Sequence, residues 1–112
     1  GHPTELLQQQ IKSCNLPNAE KILIMRNGQK ISYVGMVICR QKPKTAEGVV
    51  FITLEDKSGL VNIIVWPKIF KKFGHIILNS LFLGVDGTIQ RKDNSMVYII
   101  AQSFWKLKLY ES

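Results

Sequence analysis

At 112 residues the chain has the length of one domain and can build its own core. Hydrophobic residues make up 46% and charged residues 21%, a globular balance that excludes wholesale disorder, and the apolar runs are far too short to span a bilayer. Fifteen Lys and Arg against eight Asp and Glu leave a net charge of +7, which favours polyanions, either nucleic acid or an anionic membrane surface.

The start, Gly1-His2-Pro3-Thr4-Glu5, lacks the charged head and apolar core of a secretory signal, so the expected setting is the cytoplasm, without a membrane partner. From there, residues 1–30 read as a helical lead-in. Thr4 can cap a helix with Leu7, Ile11 and Cys14 on one face and Leu6 beside them. Pro17 breaks the chain, Asn18 offers a second cap for Ala19–Met25, and Asn27-Gly28 supplies a stop.

From Ile31 the pattern turns to strands. Ile31–Arg40 is β-branched and aromatic with Gly35 at its middle, and Gln41–Gly48 reads as a loop. Val49–Glu55 and Leu60–Trp66 flank Asp56-Lys57-Ser58-Gly59, a tight-turn sequence that makes them a hairpin. Pro67 suits the first position of a helix that turns Ile69, Phe70 and Phe73 to the core. Two more strands, Leu81–Lys92 and Met96–Phe104, are joined at Asp93-Asn94-Ser95. A helix between the third and fourth of five strands is the plan of the OB-fold, a partly open Greek-key barrel. The expected architecture is therefore a mainly β, five-stranded OB barrel over residues 31–105, with a tail at 106–112. Gly35 would mark the bend of the long first strand.

Enzyme signals fail. Phosphate-loop, nucleophile-elbow and His/Glu metal motifs are missing from the sequence. Glu55-Asp56 is the one adjacent carboxylate pair, but strand neighbours point to opposite faces, so it reads as a strand end and a turn initiator. Cys14 and Cys39 form no C-x-x-C pair and His2 and His75 stand alone, so no catalytic residue, metal or cofactor is expected. Both cysteines read as small apolar thiols.

A binding surface is easier to assemble. OB-folds hold nucleic acid on the outer face of strands two and three, flanked by the loops after strands one and four. Arg40, Lys42 and Lys44 place three cations in five residues, stiffened by Pro43; they either track phosphates or are solvated loop charge. If Val50, Ile52 and Leu54 point inward, Phe51, Thr53 and Glu55 point out, and Phe51 becomes a stacking platform. Val61, Ile63 and Val65 would then face in, leaving Asn62 to meet a base edge, while Trp66 fits a structural role at the helix entrance equally well. Arg91 and Lys92 lead into the last loop and suit phosphates. Lys68, Lys71 and Lys72 on the helix read as a solvated face, and the basic tail around Lys106 and Lys108 has no assigned place.

The run from Val37 to Asp56, with its R-Q-x-P-x-T-A-x-G stretch, and the continuation Gly59-Leu60-Val61-Asn62-Ile63-Ile64-Val65-Trp66-Pro67 resemble the OB domain of the bacterial C-family DNA polymerases. These are the alpha subunits of DNA polymerase III and their error-prone paralogues, and the Trp-Pro ending is more similar to the error-prone branch. The opening through Leu6-Leu7 is similar to the segment that precedes this domain, so the resemblance covers nearly the whole chain. The L-E-D-x-x-G core alone is shared by many OB domains, including anticodon-binding ones.

The resemblance implies a piece of a polymerase of on the order of a thousand residues. That parent would work in DNA replication, repair and translesion synthesis, with its catalytic aspartates in another domain. The OB domain would touch the single-stranded template. The short loop at Asp93-Asn94-Ser95 departs from this in offering only a slight grip. The leading expectation is a monomeric, sequence-tolerant module for single-stranded DNA, joined to the remainder of its polymerase chain. The alternative is a protein-docking module that uses an apolar patch of Val34, Met36 and Ile38 to hold accessory subunits. An RNA-binding anticodon module is a third reading.

Overall fold

The structure, a computed structural model, describes residues 16–44, 47–93 and 95–106. The expected first helix, with Leu7, Ile11 and Cys14, lies outside the described residues, as do residues 107–112 of the expected tail, Lys108 among them; Lys106 instead ends the last strand. The elements run α1 (Ala19–Ile22), β1 (Lys30–Gln41), β2 (Val50–Asp56), β3 (Gly59–Val65), α2 (Pro67–Asn79), β4 (Phe82–Arg91) and β5 (Val97–Lys106). The five strands close into a barrel in the order β1-β2-β3-β5-β4, which is the OB architecture the element order predicts. Closure comes from a parallel pairing of β3 with β5, Asn62 to Tyr98 through Ile64 to Ile100; every other pairing is antiparallel.

β1 serves two neighbours. Lys30–Met36 pairs with β4 and Met36–Gln41 with β2, with a register shift between Val37 and Cys39. Gly35 sits at the changeover, where an added Cβ would lie 3.0 Å from both Leu54 Cβ and the Tyr33 ring. The glycine read as a bend residue is thus also a packing necessity.

Strict alternation fills the interior. Val50, Ile52 and Leu54 of β2, Val61, Ile63 and Val65 of β3, and Ile99 and Ala101 of β5 are all buried. Each large aliphatic taken from water here contributes about 1.5–3 kcal/mol. The barrel ends need lids, and helices supply them. α1 inserts Ala19 and Ile22 into the main core, and α2 inserts the fully buried Ile77. Ile69, Phe70, Phe73 and Ile76 pack around it, Phe73 meeting Phe104 edge-on at 6.1 Å. The core-facing trio expected for α2 is correct, although the residue buried deepest is Ile77.

α1 is shorter than the Ala19–Met25 expected. Asn18 Oδ1 accepts the Lys21 N–H at 2.9 Å, so the cap is as read. The helix then tightens, with Ile24 N–H bonding Lys21 O and Met25 N–H bonding Ile22 O, each at 3.2 Å. The carbonyls of Leu23 and Met25 turn outward onto the guanidinium of Arg91, which withdraws them from any further helical turn.

The apolar patch expected on β1 needs correction. Val34 does point away from the barrel interior, but it is 1% exposed. It forms a second small core with Phe82, packed against Leu16, Met36 and Trp105. The Trp105 indole lies flat on Gly84, where a Cβ would come within 2.2 Å of the ring. Ile38 alone of the expected trio is an exposed large apolar residue.

Candidate nucleic-acid interface

The outer face of the barrel carries two aligned rows. Thr53 of β2, Asn62 of β3, Tyr98 of β5 and Gln90 of β4 are successive register partners and form a polar row. Phe51, Ile64, Ile100 and Thr88 form the next row in the same way. Register partners share a face and adjacent strands lie about 4.8 Å apart, so each row crosses the sheet as a band. Phe51 is half-buried on this face, as the favoured register predicts, and Asn62 is exposed. The Thr53 hydroxyl donates to Asn62 Oδ1 at 3.1 Å, which orients the amide and turns its N–H₂ to the other side.

Tyr98 is the residue that sequence reasoning missed. The alternation of β5, with Val97, Ile99 and Ala101 buried, was enough to turn its ring outward. That the ring then stands beside Asn62 depends on the parallel β3–β5 closure, which no local pattern encodes.

The two loops flank the face. After β1, Glu47 and Gly48 both take positive φ, 52° and 87°, and Gly48 packs against Pro67 of α2, where a Cβ would lie 3.2 Å from the proline ring. This return turn brings the loop onto the helix, and Lys42 Nζ stands 5.5 Å over the Phe70 ring. Lys44 is exposed. After β4, the Asp93 carboxylate accepts from Ser95 N–H and Ser95 Oγ, both at 2.7 Å, and from Met96 N–H at 3.0 Å. The Ser95 hydrogen bonds hold the Asp93 carboxyl below its usual range. Asp93 thus makes an Asx-type set of bonds to Ser95 and Met96, and Lys92 before it is exposed.

The two candidate arginines are placed differently from the lysines. Arg40 donates from Nε to Ile77 O at 2.8 Å and from Nη2 to Ser80 O at 2.9 Å, closing the C-terminal end of α2. Arg91 donates from Nη2 to Leu23 O and Met25 O, and its backbone N–H bonds Asn27 Oδ1 at 2.8 Å. Both guanidiniums hold backbone segments in place. Of the candidates, Phe51 and Asn62 share the sheet face, and Lys42, Lys44 and Lys92 stand in the loops beside it.

Glu55-Asp56 resolves as a strand end and a turn. Asp56 is 3% exposed, and its Oδ1 accepts from Ser58 N–H and Ser58 Oγ at 2.7 Å and from Gly59 N–H at 3.2 Å. Its Oδ2 accepts from Ala19 N–H at 2.7 Å and the Tyr33 hydroxyl at 3.0 Å. Burial, with the Asp56 charge beside it, pushes the Tyr33 hydroxyl far above the usual tyrosine range.

Residues 31–107 match the family described as the OB-fold nucleic acid binding domain. The chain belongs to that family. It is also 40% identical over 106 residues to an error-prone DNA polymerase of Allorhizobium ampelinum, covering 95% of this chain and 10% of that protein. Over 102 residues it is 43% identical to an error-prone DNA polymerase of Ruegeria pomeroyi, covering 91% of this chain and 9% of that one. The resemblance to the error-prone branch is thus borne out, and the chain spans about a tenth of these relatives' length. Among solved structures, the asparaginyl-tRNA synthetase of Pyrococcus horikoshii superposes with a TM-score of 0.68 at 12% identity. That match covers 85% of this chain and 23% of the synthetase, and it shows the shared OB-fold.

Proposed function

We propose that this OB-fold domain is the single-stranded DNA-binding module of an error-prone DNA polymerase. It would hold the template strand across the outer face of its barrel, while nucleotide transfer belongs to the rest of that polymerase. The observation that carries this reading is the pair of aligned rows. They place the Phe51 and Tyr98 rings on one face, with the Asn62 amide in the polar row beside Tyr98. Rings offer every base a stacking surface worth about 1–3 kcal/mol, which is tolerant of sequence. Lys42, Lys44 and Lys92 supply phosphate contacts from either side. Arg40 and Arg91 leave the binding set, because their guanidiniums hold the fold. With two rings and a handful of cations, affinity is weak and salt-sensitive, roughly micromolar or poorer.

The test is an NMR titration of labelled chain with short oligothymidine at low salt. Amide shifts clustered on Phe51, Thr53, Asn62, Tyr98, Lys42, Lys44 and Lys92 are expected. An absence of shifts at millimolar DNA would overturn the reading.

A second reading, docking of accessory subunits, is favoured by one observation. Val37 N–H bonds Leu81 O at 2.8 Å, which brings exposed Leu81 beside exposed Ile38, with exposed Leu78 on the last turn of α2. Replacing Lys42 and Lys44 by Gln separates the two. DNA affinity falls under the first reading and stays constant under the second.

A further inference from the structure

We propose that α2, with Lys42 and Lys44 after β1, forms one track for the phosphate backbone, which takes the strand onward once it has crossed the sheet. The inference rests on the sheet-face reading and extends it to a surface that carries no base-reading residues. Lys68, Lys71 and Lys72 stand at i, i+3 and i+4, hence on one side of the helix, and all are exposed. The opposite side is spent on the barrel through Ile69, Phe73 and Ile77.

The lysines of the stripe repel one another. Lys68 repels Lys71 at i,i+3 and Lys72 at i,i+4, and in the first turn of α2 it also meets the positive end of the helix dipole; Lys72 has the Phe73 ring 5.4 Å from its Nζ as a partial offset. The helix sequence contains no carboxylate to relieve them. Such a self-repelling arrangement is relieved by a polyanion.

The loop joins the patch. Lys42 stands over Phe70, which lies between Lys68 and Lys71 in the helix sequence, and Gly48 packs by Pro67. Segments 42–48 and 66–75 together hold five lysines and one glutamate, Glu47. Trp66 marks the boundary between sheet and helix. It follows β3 directly and is 53% exposed, with no side-chain capping bond to α2. An exposed indole next to a lysine stripe suits an unpaired base with its phosphates, since a duplex keeps its bases stacked on one another. The occupant is accordingly single-stranded DNA continuing from Phe51 and Ile64 past Trp66.

The experiment compares labelled oligothymidines of about 4 and about 16 nucleotides, the span over which OB domains differ in site size. Fluorescence anisotropy is read on the chain, on Lys68→Gln/Lys71→Gln/Lys72→Gln and on Phe51→Ala. The triple variant should keep its affinity for the short oligomer and bind the long one on the order of tenfold more weakly at low salt. Its salt slope on the long oligomer should fall by about 2. Tryptophan quenching by the long oligomer should vanish in Trp66→Phe.

A triple variant with unchanged affinity and slope on the long oligomer overturns the track, and the sheet reading survives if Phe51→Ala still weakens both lengths. Loss in the triple variant with none in Phe51→Ala leaves the lysine patch standing and overturns the sheet reading. Failure of both oligomers to bind at low salt overturns both.

Discussion

Asp56 shows how much one buried side chain can organise. Its carboxylate shapes the β2–β3 turn, receives the hydroxyl of Tyr33 from β1 and anchors the first N–H of α1. Hydrogen bonds to a charged acceptor are worth about 1.5–3 kcal/mol each, so Asp56→Ala should lower unfolding stability by at least about 3 kcal/mol in a urea titration. Asp56→Asn, which keeps one acceptor oxygen, should lose less. Tyr33 adds a pH effect. Its folded pKa is raised, so the stability it supports is complete below the ordinary tyrosine value of about 10 and is lost as pH rises beyond it, where the unfolded chain ionises first. Between pH 10 and 11.5 the wild type should lose stability faster than Tyr33→Phe, by up to about 1.4 kcal/mol per pH unit. Asp56 was legible as a turn initiator, because Asp at the first turn position and Gly at the last is a local rule. Its ties to Ala19 and Tyr33 were not, since they join residues far apart in the chain.

At the scale of elements, cations hold the ends of helical segments against the barrel. Arg40 closes α2 and Arg91 gathers the carbonyls that end α1. Truncating either to Ala leaves backbone carbonyls short of a donor and should cost about 1–3 kcal/mol of stability. DNA affinity, measured where the variants remain folded, should change far less than in the Lys42→Gln/Lys44→Gln variant. The contrast explains what the sequence could and could not reveal. Strand register was legible, because alternation in β2 and β3 turns Phe51 and Asn62 outward whatever the tertiary context. The carbonyl contacts of the two arginines were not legible, because an Arg at a loop border reads alike whether it meets a phosphate or a carbonyl. The β1 patch failed for the same kind of reason. Val34 has the right direction, but its cover by Phe82 and Trp105 is set by β4 and β5.

For the whole molecule, the net charge of +7 is unevenly spread. The cations argued to meet phosphates lie in two loops and along one side of α2. On single strands each phosphate contact contributes about 0.7 to the salt slope, so sheet and loops alone should give a slope near 2 and the full track a slope near 4. Affinity for a long oligothymidine measured between about 50 and 200 mM salt separates these values. The order of the barrel has a kinetic side as well. Its closing seam, Asn62–Ile64 against Tyr98–Ile100, is short, parallel and drawn from distant parts of the chain. The hairpins on either side can zip early, but this seam must wait until a long intervening stretch has been gathered in, which slows barrel formation. The Tyr98–Asn62 juxtaposition that completes the proposed binding face is therefore among the last features to form during folding, and a chain stalled before closure would hold its two hairpins with that face still divided between them.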